Sequence, residues 1–205
     1  MKLALKTYLV IALLSLVYNA NAQTYRLEVG YNIPERFGSN ISTTYFNGVK
    51  LGGTAEFKLK NNFSLLTGAL YNYIYSDKIQ GYPNLATVRA ISFGHFLDIP
   101  ARFTYTYPLT KSLKVFGFAG PNLNIGLFQT MKTTSTVSYI PSANTDLYKD
   151  NVLNRINLQI GLGGGVQWKK YQLKASYDFG INNLNRSGSG NIYQKGWYIS
   201  VAYDF

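Results

Sequence analysis

The closing stretch Gly196-Trp197-Tyr198-Ile199-Ser200-Val201-Ala202-Tyr203-Asp204-Phe205 alternates without a break. Successive side chains of a strand point to opposite sides, so Trp197, Ile199, Val201, Tyr203 and Phe205 share one face. Gly196, Tyr198, Ser200, Ala202 and Asp204 share the other. The same period runs through Leu173, Ala175, Tyr177, Phe179 and Ile181, set against Gln172, Lys174, Ser176, Asp178 and Gly180. It recurs in Ile156, Leu158, Ile160, Leu162, Val166 and Trp168.

Working outward from that end, alternation predicts strands near 25–33, 46–59, 63–75, 90–107, 113–130, 154–168, 171–184 and 195–205. Each is long enough for the roughly 9 to 11 residues that cross a bilayer at a tilt. The connections alternate between long polar segments (34–45, 76–89, 131–153, 185–194) and short ones (60–62, 108–112, 169–170). That alternation is the pattern of a transmembrane barrel with short periplasmic turns and long extracellular loops. The predicted fold is all-β: an eight-stranded antiparallel up-and-down transmembrane barrel over residues 23–205, both mature termini periplasmic.

A soluble barrel also alternates, but it turns its apolar side chains inward. The polar face decides between the two. It mixes Gly30, Gly52, Gly94, Gly161, Gly163, Gly165 and Gly180 with charges of both signs, among them Arg26, Glu28, Lys50, Glu56, Lys58, Asp98, Arg102, Lys174 and Asp178. Glycine on a water-facing strand only weakens it, whereas in a narrow barrel it leaves room for long neighbours. Aromatics gather toward strand ends, with Phe57, Phe63, Tyr105, Tyr107, Trp168 and Tyr171 at one level and Tyr31, Phe46, Tyr73, Tyr75, Phe128 and Trp197 at the other, as two interfacial girdles require. The apolar face is therefore expected to meet outer-membrane lipid.

The amino end has the parts of a cleaved export leader over 1–22: Lys2 and Lys6, the apolar run Leu9 to Val17, and Ala20-Asn21-Ala22 before Gln23. The run is about half the roughly 20 residues of a spanning helix. Absence of cysteine removes disulfides, thiolate metal sites and lipidation at cysteine. The net charge of +11 suits nucleic acid or anionic lipid, and export argues against nucleic acid. Seven basic residues (Lys58, Lys60, Lys111, Lys114, Lys169, Lys170, Lys174) fall near the short turns, where anionic headgroups or plain water would meet them.

The stretch Phe96-Leu97-Asp98-Ile99-Pro100-Ala101-Arg102, with Phe118-Ala119-Gly120-Pro121, Gly161 to Gly165 and the closing Tyr203-Asp204-Phe205, resembles the PorT-type outer-membrane β-barrel family of the Bacteroidota. The resemblance covers nearly all of the mature chain. It implies the fold, the outer membrane, and Phe205 as the terminal aromatic read by the barrel assembly machinery. The family's link to secretion belongs to a subset of its members and is not carried over.

Catalytic signals are sparse. His95 is the only histidine and alternates with Phe93 and Leu97 on the apolar face. No G-x-S-x-G, H-E-x-x-H or P-loop occurs, and Gly161 to Gly165 lies inside a strand. No cofactor or metal is expected. The inward charges Arg26, Glu28, Glu56, Lys58, Asp98, Arg102, Lys174 and Asp178 are expected to pair, since a charge facing a small lumen persists only if paired or hydrated. Counting from the turn at 108–112 puts Arg102 across from Phe118 and Asp98 across from Asn122. Closing the first strand on the last brings Arg26 near Asp204. Asp98, Arg102, Glu56 and nearby lysines would form a mixed-charge plug. The loop 131–153, with Met131, Tyr139, Ile140 and Tyr148, is the expected contact surface for a protein partner. Three functions follow: a non-enzymatic barrel acting as scaffold or through its external loops, a narrow pore for ions or small solutes, and a lipid- or peptide-modifying enzyme.

Overall fold

The computed structural model describes residues 23–39, 41–82, 86–135, 142–188 and 190–205. The expected leader, residues 1–22, lies outside them, as do Tyr139 and Ile140.

Alternation produces ten strands: β1 (Gln23–Gly38), β2 (Ile41–Tyr45), β3 (Asn47–Lys58), β4 (Phe63–Tyr82), β5 (Ala86–Pro108), β6 (Leu113–Ser135), β7 (Ala143–Asp146), β8 (Ile156–Trp168), β9 (Tyr171–Gly180) and β10 (Ile192–Asp204). Eight of them form a ring in the order β1-β3-β4-β5-β6-β8-β9-β10, every pairing antiparallel. β10 returns to β1 from Arg26↔Asp204 to Gly38↔Ile192. Closure leaves no edge strand, as a strand-built membrane span requires. The two short strands stand outside the ring: β2 on the far part of β1, β7 on the far part of β6.

One end of the ring is made of short turns. Asn61 and Asn62 take φ of 55° and 65° between β3 and β4, and Lys169 takes 52° between β8 and β9, the left-handed geometry of tight hairpins that asparagine tolerates. Neighbouring turns are tied together: Thr106 N donates to Asn62 O (3.0 Å), Lys169 N to Ser112 O (2.8 Å), Asp204 N to Lys170 O (2.8 Å) and Phe205 N to Tyr25 O (3.0 Å).

At the other end the expected loops are largely strand. β4 and β5 stay paired out to Tyr82↔Ala86, so the segment expected to loop over 76–89 is mostly a hairpin, braced by Arg89 Nε donating to Asp77 Oδ1 (2.9 Å). β1 and β6 overrun their predicted ends in the same way, while β9 stops early, at Gly180. These extensions are rich in polar residues, among them Glu35, Arg36, Ser76, Asp77, Lys78, Lys132, Thr133 and Thr134, so polarity reads as loop although the ladder continues beyond the apolar belt.

The faces divide as the alternation requires. Trp197, Ile199, Val201, Leu162, Leu173 and Phe179 are exposed on the outside, while Ser200, Ala202, Asp204, Lys174 and Asp178 are buried within. Outward rings link up at the short-turn end, with Phe63 and Tyr105 4.9 Å apart and Tyr171 and Tyr203 5.3 Å apart. At the far end Trp197 packs edge-on to Tyr177 at 4.9 Å. Phe46 departs from the girdle expected of it. It turns inward and is 3 % exposed.

The turn between β5 and β6 centres one residue later than the count assumed, so Asp98 pairs with Asn124, and Thr104, not Arg102, faces Phe118. A slip of two pairs leaves each side chain on its own face. Arg26 does lie directly across from Asp204.

Candidate functional site

The lumen is the richest polar assembly in the molecule, and it is built in levels. Nearest the short turns, the Arg26 guanidinium donates to Asp204 through Nε (2.6 Å) and to Glu56 through Nη2. Ser64 Oγ completes Glu56, and Gln167 Nε2 completes Asp204 at 2.9 Å. Next, Lys174 Nζ reaches Glu28 Oε2 at 2.5 Å, with Ser200 Oγ donating to Oε1 at 2.8 Å. In the middle, Lys50 Nζ lies 2.8 Å from Asp98 Oδ2, and Asn72 and Asn124 donate to the same carboxylate. Arg102 there bridges Asp178 and the carbonyls of Gly120 and Gly161. A Cβ on Gly161 would fall on Asp178 Oδ1 and 2.8 Å from Arg102 Nη1, so glycine is what admits this pair.

The expected plug therefore resolves into separate pairs. Asp98 and Arg102 are not each other's partner: Asp98 takes Lys50 and Arg102 takes Asp178. Lys58 is not in the network. It is exposed at the short-turn rim, and no carboxylate of the described residues pairs with it, because β3 ends there and the lumen opens to solvent. Lys174, grouped by sequence with the turn lysines, sits inside and is 7 % exposed. The lumen also holds Leu66 and Leu70 of β4 and Phe116 of β6.

Arg36 closes the charged column. Its Nε donates to Gln194 Oε1 (3.0 Å) and its Nη2 to Gln129 Oε1 (2.9 Å), and the guanidinium stands 5.1 Å from the Phe46 ring. Five cations (Arg26, Arg36, Lys50, Arg102, Lys174) thus share the lumen with five anions (Glu28, Glu56, Asp98, Asp178, Asp204). Of nine acidic residues in the chain, the other four, Glu35, Asp77, Asp146 and Asp150, all lie toward the long loops. The strong positive charge of the protein is consequently carried outside a balanced interior.

Above Arg36 the mouth is closed by an apolar cap of Phe46, Ile74, Phe96, Leu147, Tyr148, Leu153 and Leu184, with Met131, Val152 and Ile192 at its margin. Asp146 builds it: its Oδ1 accepts the backbone N–H groups of Tyr148 and Lys149, both at 3.1 Å, and starts a turn that folds Leu147 and Tyr148 down into the barrel. Those backbone donors, Lys149 N–H foremost, hold the Asp146 carboxyl below the usual carboxylate range. Tyr148 is 5 % exposed, its ring in the space left by Gly126 and 4.8 Å from the Arg155 guanidinium. It is not a contact surface, and burial raises its phenol pKa. Met131 is half-buried at the edge of the cap. Sequence reasoning missed the cap because most of its loop members lie in segments without period. The inward parity of Ile74, Phe96 and Phe46 was the signal for it in the sequence.

At the opposite end the lumen opens into a vestibule of about 400 Å³, walled by Thr24, Lys58, Asn62, Ser64, Thr106 and Lys114 and floored by the Arg26 cluster. Smaller voids of about 30 and 40 Å³ lie deeper, both bordered by Lys174. On the outer surface, His95 sits among the rings of Tyr71, Tyr73, Phe93 and Phe128, and its Nδ1 shares a hydrogen bond with Tyr71 Oη. No group of three His, Cys, Asp or Glu among the described residues is arranged to hold a metal ion.

Residues 14–186 match the family described as outer membrane protein beta-barrel domain. No curated protein matches the chain. Similar solved structures include the attachment invasion locus protein Ail of Yersinia pestis (12% identity, 89% of this chain and 98% of that one, TM-score 0.41). Neisserial surface protein A is similar at 10% identity (90% and 100% covered, TM-score 0.48). A major outer membrane protein of Thermus thermophilus is similar at 15% (90% and 100%, TM-score 0.43). A closed antiparallel ring, an apolar exterior and the family match over most of the sequence agree: the chain belongs to the outer membrane protein beta-barrel domain family and is a β-barrel of the bacterial outer membrane.

Proposed function

We propose that the protein is a non-enzymatic outer-membrane barrel with a filled lumen, acting as a membrane scaffold or through its external loops. The observation that carries this reading is the stacking of obstructions along one axis: the Arg26 cluster, the Lys174–Glu28, Lys50–Asp98 and Arg102–Asp178 pairs, and the apolar cap. A solute would have to break buried ion pairs and then lift seven apolar side chains. His95 lies on the outer face among aromatic rings and bonded to Tyr71 Oη, and this reading gives it no catalytic role.

Within the family we assign the chain to the PorT type, on the Phe96 to Arg102 stretch, whose Asp98 and Arg102 both anchor lumen pairs. The short-turn end faces the periplasm in this reading, with both mature termini. Phe205, at 73 % exposure the most exposed of the outward aromatics, is the residue offered to the assembly machinery. The partner surface is the outer part of the 131–153 loop, excluding the buried Tyr148.

Planar-bilayer recording tests the filled lumen: the expected result is little conductance, and large stable single-channel currents from the unmodified protein would replace this reading with that of a narrow pore. Exchanging residues 136–142 of the 131–153 loop for an unrelated sequence, which keeps the cap residues Leu147, Tyr148 and Leu153, should abolish capture of a partner while the barrel still folds.

A further inference from the structure

We propose that the vestibule at the short-turn end is a binding site for a small phosphate-bearing solute, held by Lys58 and Lys114. The cavity is large enough for such a molecule, at about 400 Å³, and it is blind: its floor is the Arg26 cluster. Both carboxylates in its wall are already committed. Glu56 takes Arg26 and Ser64, and Asp204 takes Arg26 and Gln167. Lys58 and Lys114, by contrast, pair with no carboxylate of the described residues and border the same space from β3 and β6. Two free ammonium groups over satisfied acids leave an electropositive pocket.

The surroundings reinforce it. Lys60, Lys111, Lys169 and Lys170 occupy the neighbouring turns, which contain no acidic residue. Lysines on the rim of a recessed cavity focus their field into it and raise the local concentration of anions. Phosphate fits better than a lone carboxylate, because it carries close to two negative charges at neutral pH and three acceptor oxygens. Those match two ammonium groups and the hydroxyl and amide donors of Thr24, Thr106 and Asn62 on the wall. The site is preorganised, since the β3–β4 turn that places Asn62 is bonded to β5 through Thr106 N. A closed floor makes it a place of capture and not a conduit, and it stands whichever way the lumen itself behaves.

The test is titration of the purified full-length barrel, in nanodiscs of zwitterionic lipid, with sn-glycerol 3-phosphate, followed by calorimetry and by 31P line broadening. Saturable binding of one equivalent is expected, weakened about tenfold by K58Q or by K114Q, unaffected by K169Q/K170Q, and falling as pH drops below about 6, where phosphate gains a proton. Acetate should not compete. Absence of saturable binding at millimolar ligand, or equal weakening by K169Q/K170Q, overturns the assignment. The source of the phosphate is read from nanodiscs containing phosphatidylglycerol. Undiminished binding there identifies a free solute. Loss of binding, together with a headgroup 31P shift that K58Q removes, identifies a lipid phosphate in the same site.

Discussion

Replacing Lys174 by methionine isolates one lumen ion pair. Glu28 is 1 % exposed, with Lys174 Nζ at 2.5 Å and Ser200 Oγ at 2.8 Å. Methionine keeps most of the lysine stem and deletes the charge, so Glu28 is left with a single hydroxyl partner. Removing one member of a buried pair costs about 3–5 kcal/mol. The voids of about 30 and 40 Å³ beside Lys174 are large enough for a water molecule that could take over part of the hydration. The lower bound, about 3 kcal/mol, is therefore expected, or roughly a hundredfold in the folding equilibrium. Adding Glu28→Gln removes the stranded charge while keeping an oxygen for Ser200, and should return stability to within about 1 kcal/mol of the parent. Urea unfolding from lipid vesicles reads both, because Trp168 and Trp197 lie on the exposed outer face and report its transfer to water. If Lys174→Met costs under about 1 kcal/mol, or the double variant is as unstable as the two singles combined, the balanced lumen is not what holds the interior together.

Gly161→Ala should destabilise the barrel by about 1–3 kcal/mol, since the new methyl displaces the Arg102–Asp178 pair; the urea midpoint measures it, and an unchanged midpoint would refute the packing argument. Asp146 has its pKa lowered in the folded cap, so its contribution is complete above the ordinary carboxylate range and is lost as pH falls through the depressed value. Acidification below about pH 4 should therefore raise hydrogen exchange in 147–153 of the native protein, and Asp146→Ala, which removes the acceptor outright, should show that exchange already at neutral pH.

Most of the architecture was legible because a strand face is a parity property. Arg102 and Asp98 were placed inside although their cross-strand partners were miscounted by two, since an even slip cannot move a side chain through the sheet. The Arg26–Asp204 contact could be read because both belong to adjoining strands of a closed ring. Lys174–Glu28 and Lys50–Asp98 could not, because they cross the lumen between strands that do not touch, and strand period carries no information on which inward residues meet. The cap was hidden for a further reason. Leu147, Leu153 and Leu184 occupy irregular backbone, where apolar residues have no period to betray a buried face. β2 and β7 are too short and too polar to separate from loop.

The seam between β1 and β10 has a kinetic consequence. Arg26 bonds to Glu56 on one side and to Asp204, 178 positions away, on the other. One of its two carboxylate contacts thus arrives only with the final strand. Until that strand docks, a nascent sheet in contact with lipid carries a guanidinium whose Nε lacks its carboxylate acceptor on the concave side, so wall closure and completion of this cluster become one late, cooperative event, as expected where the decisive contacts are remote in the chain.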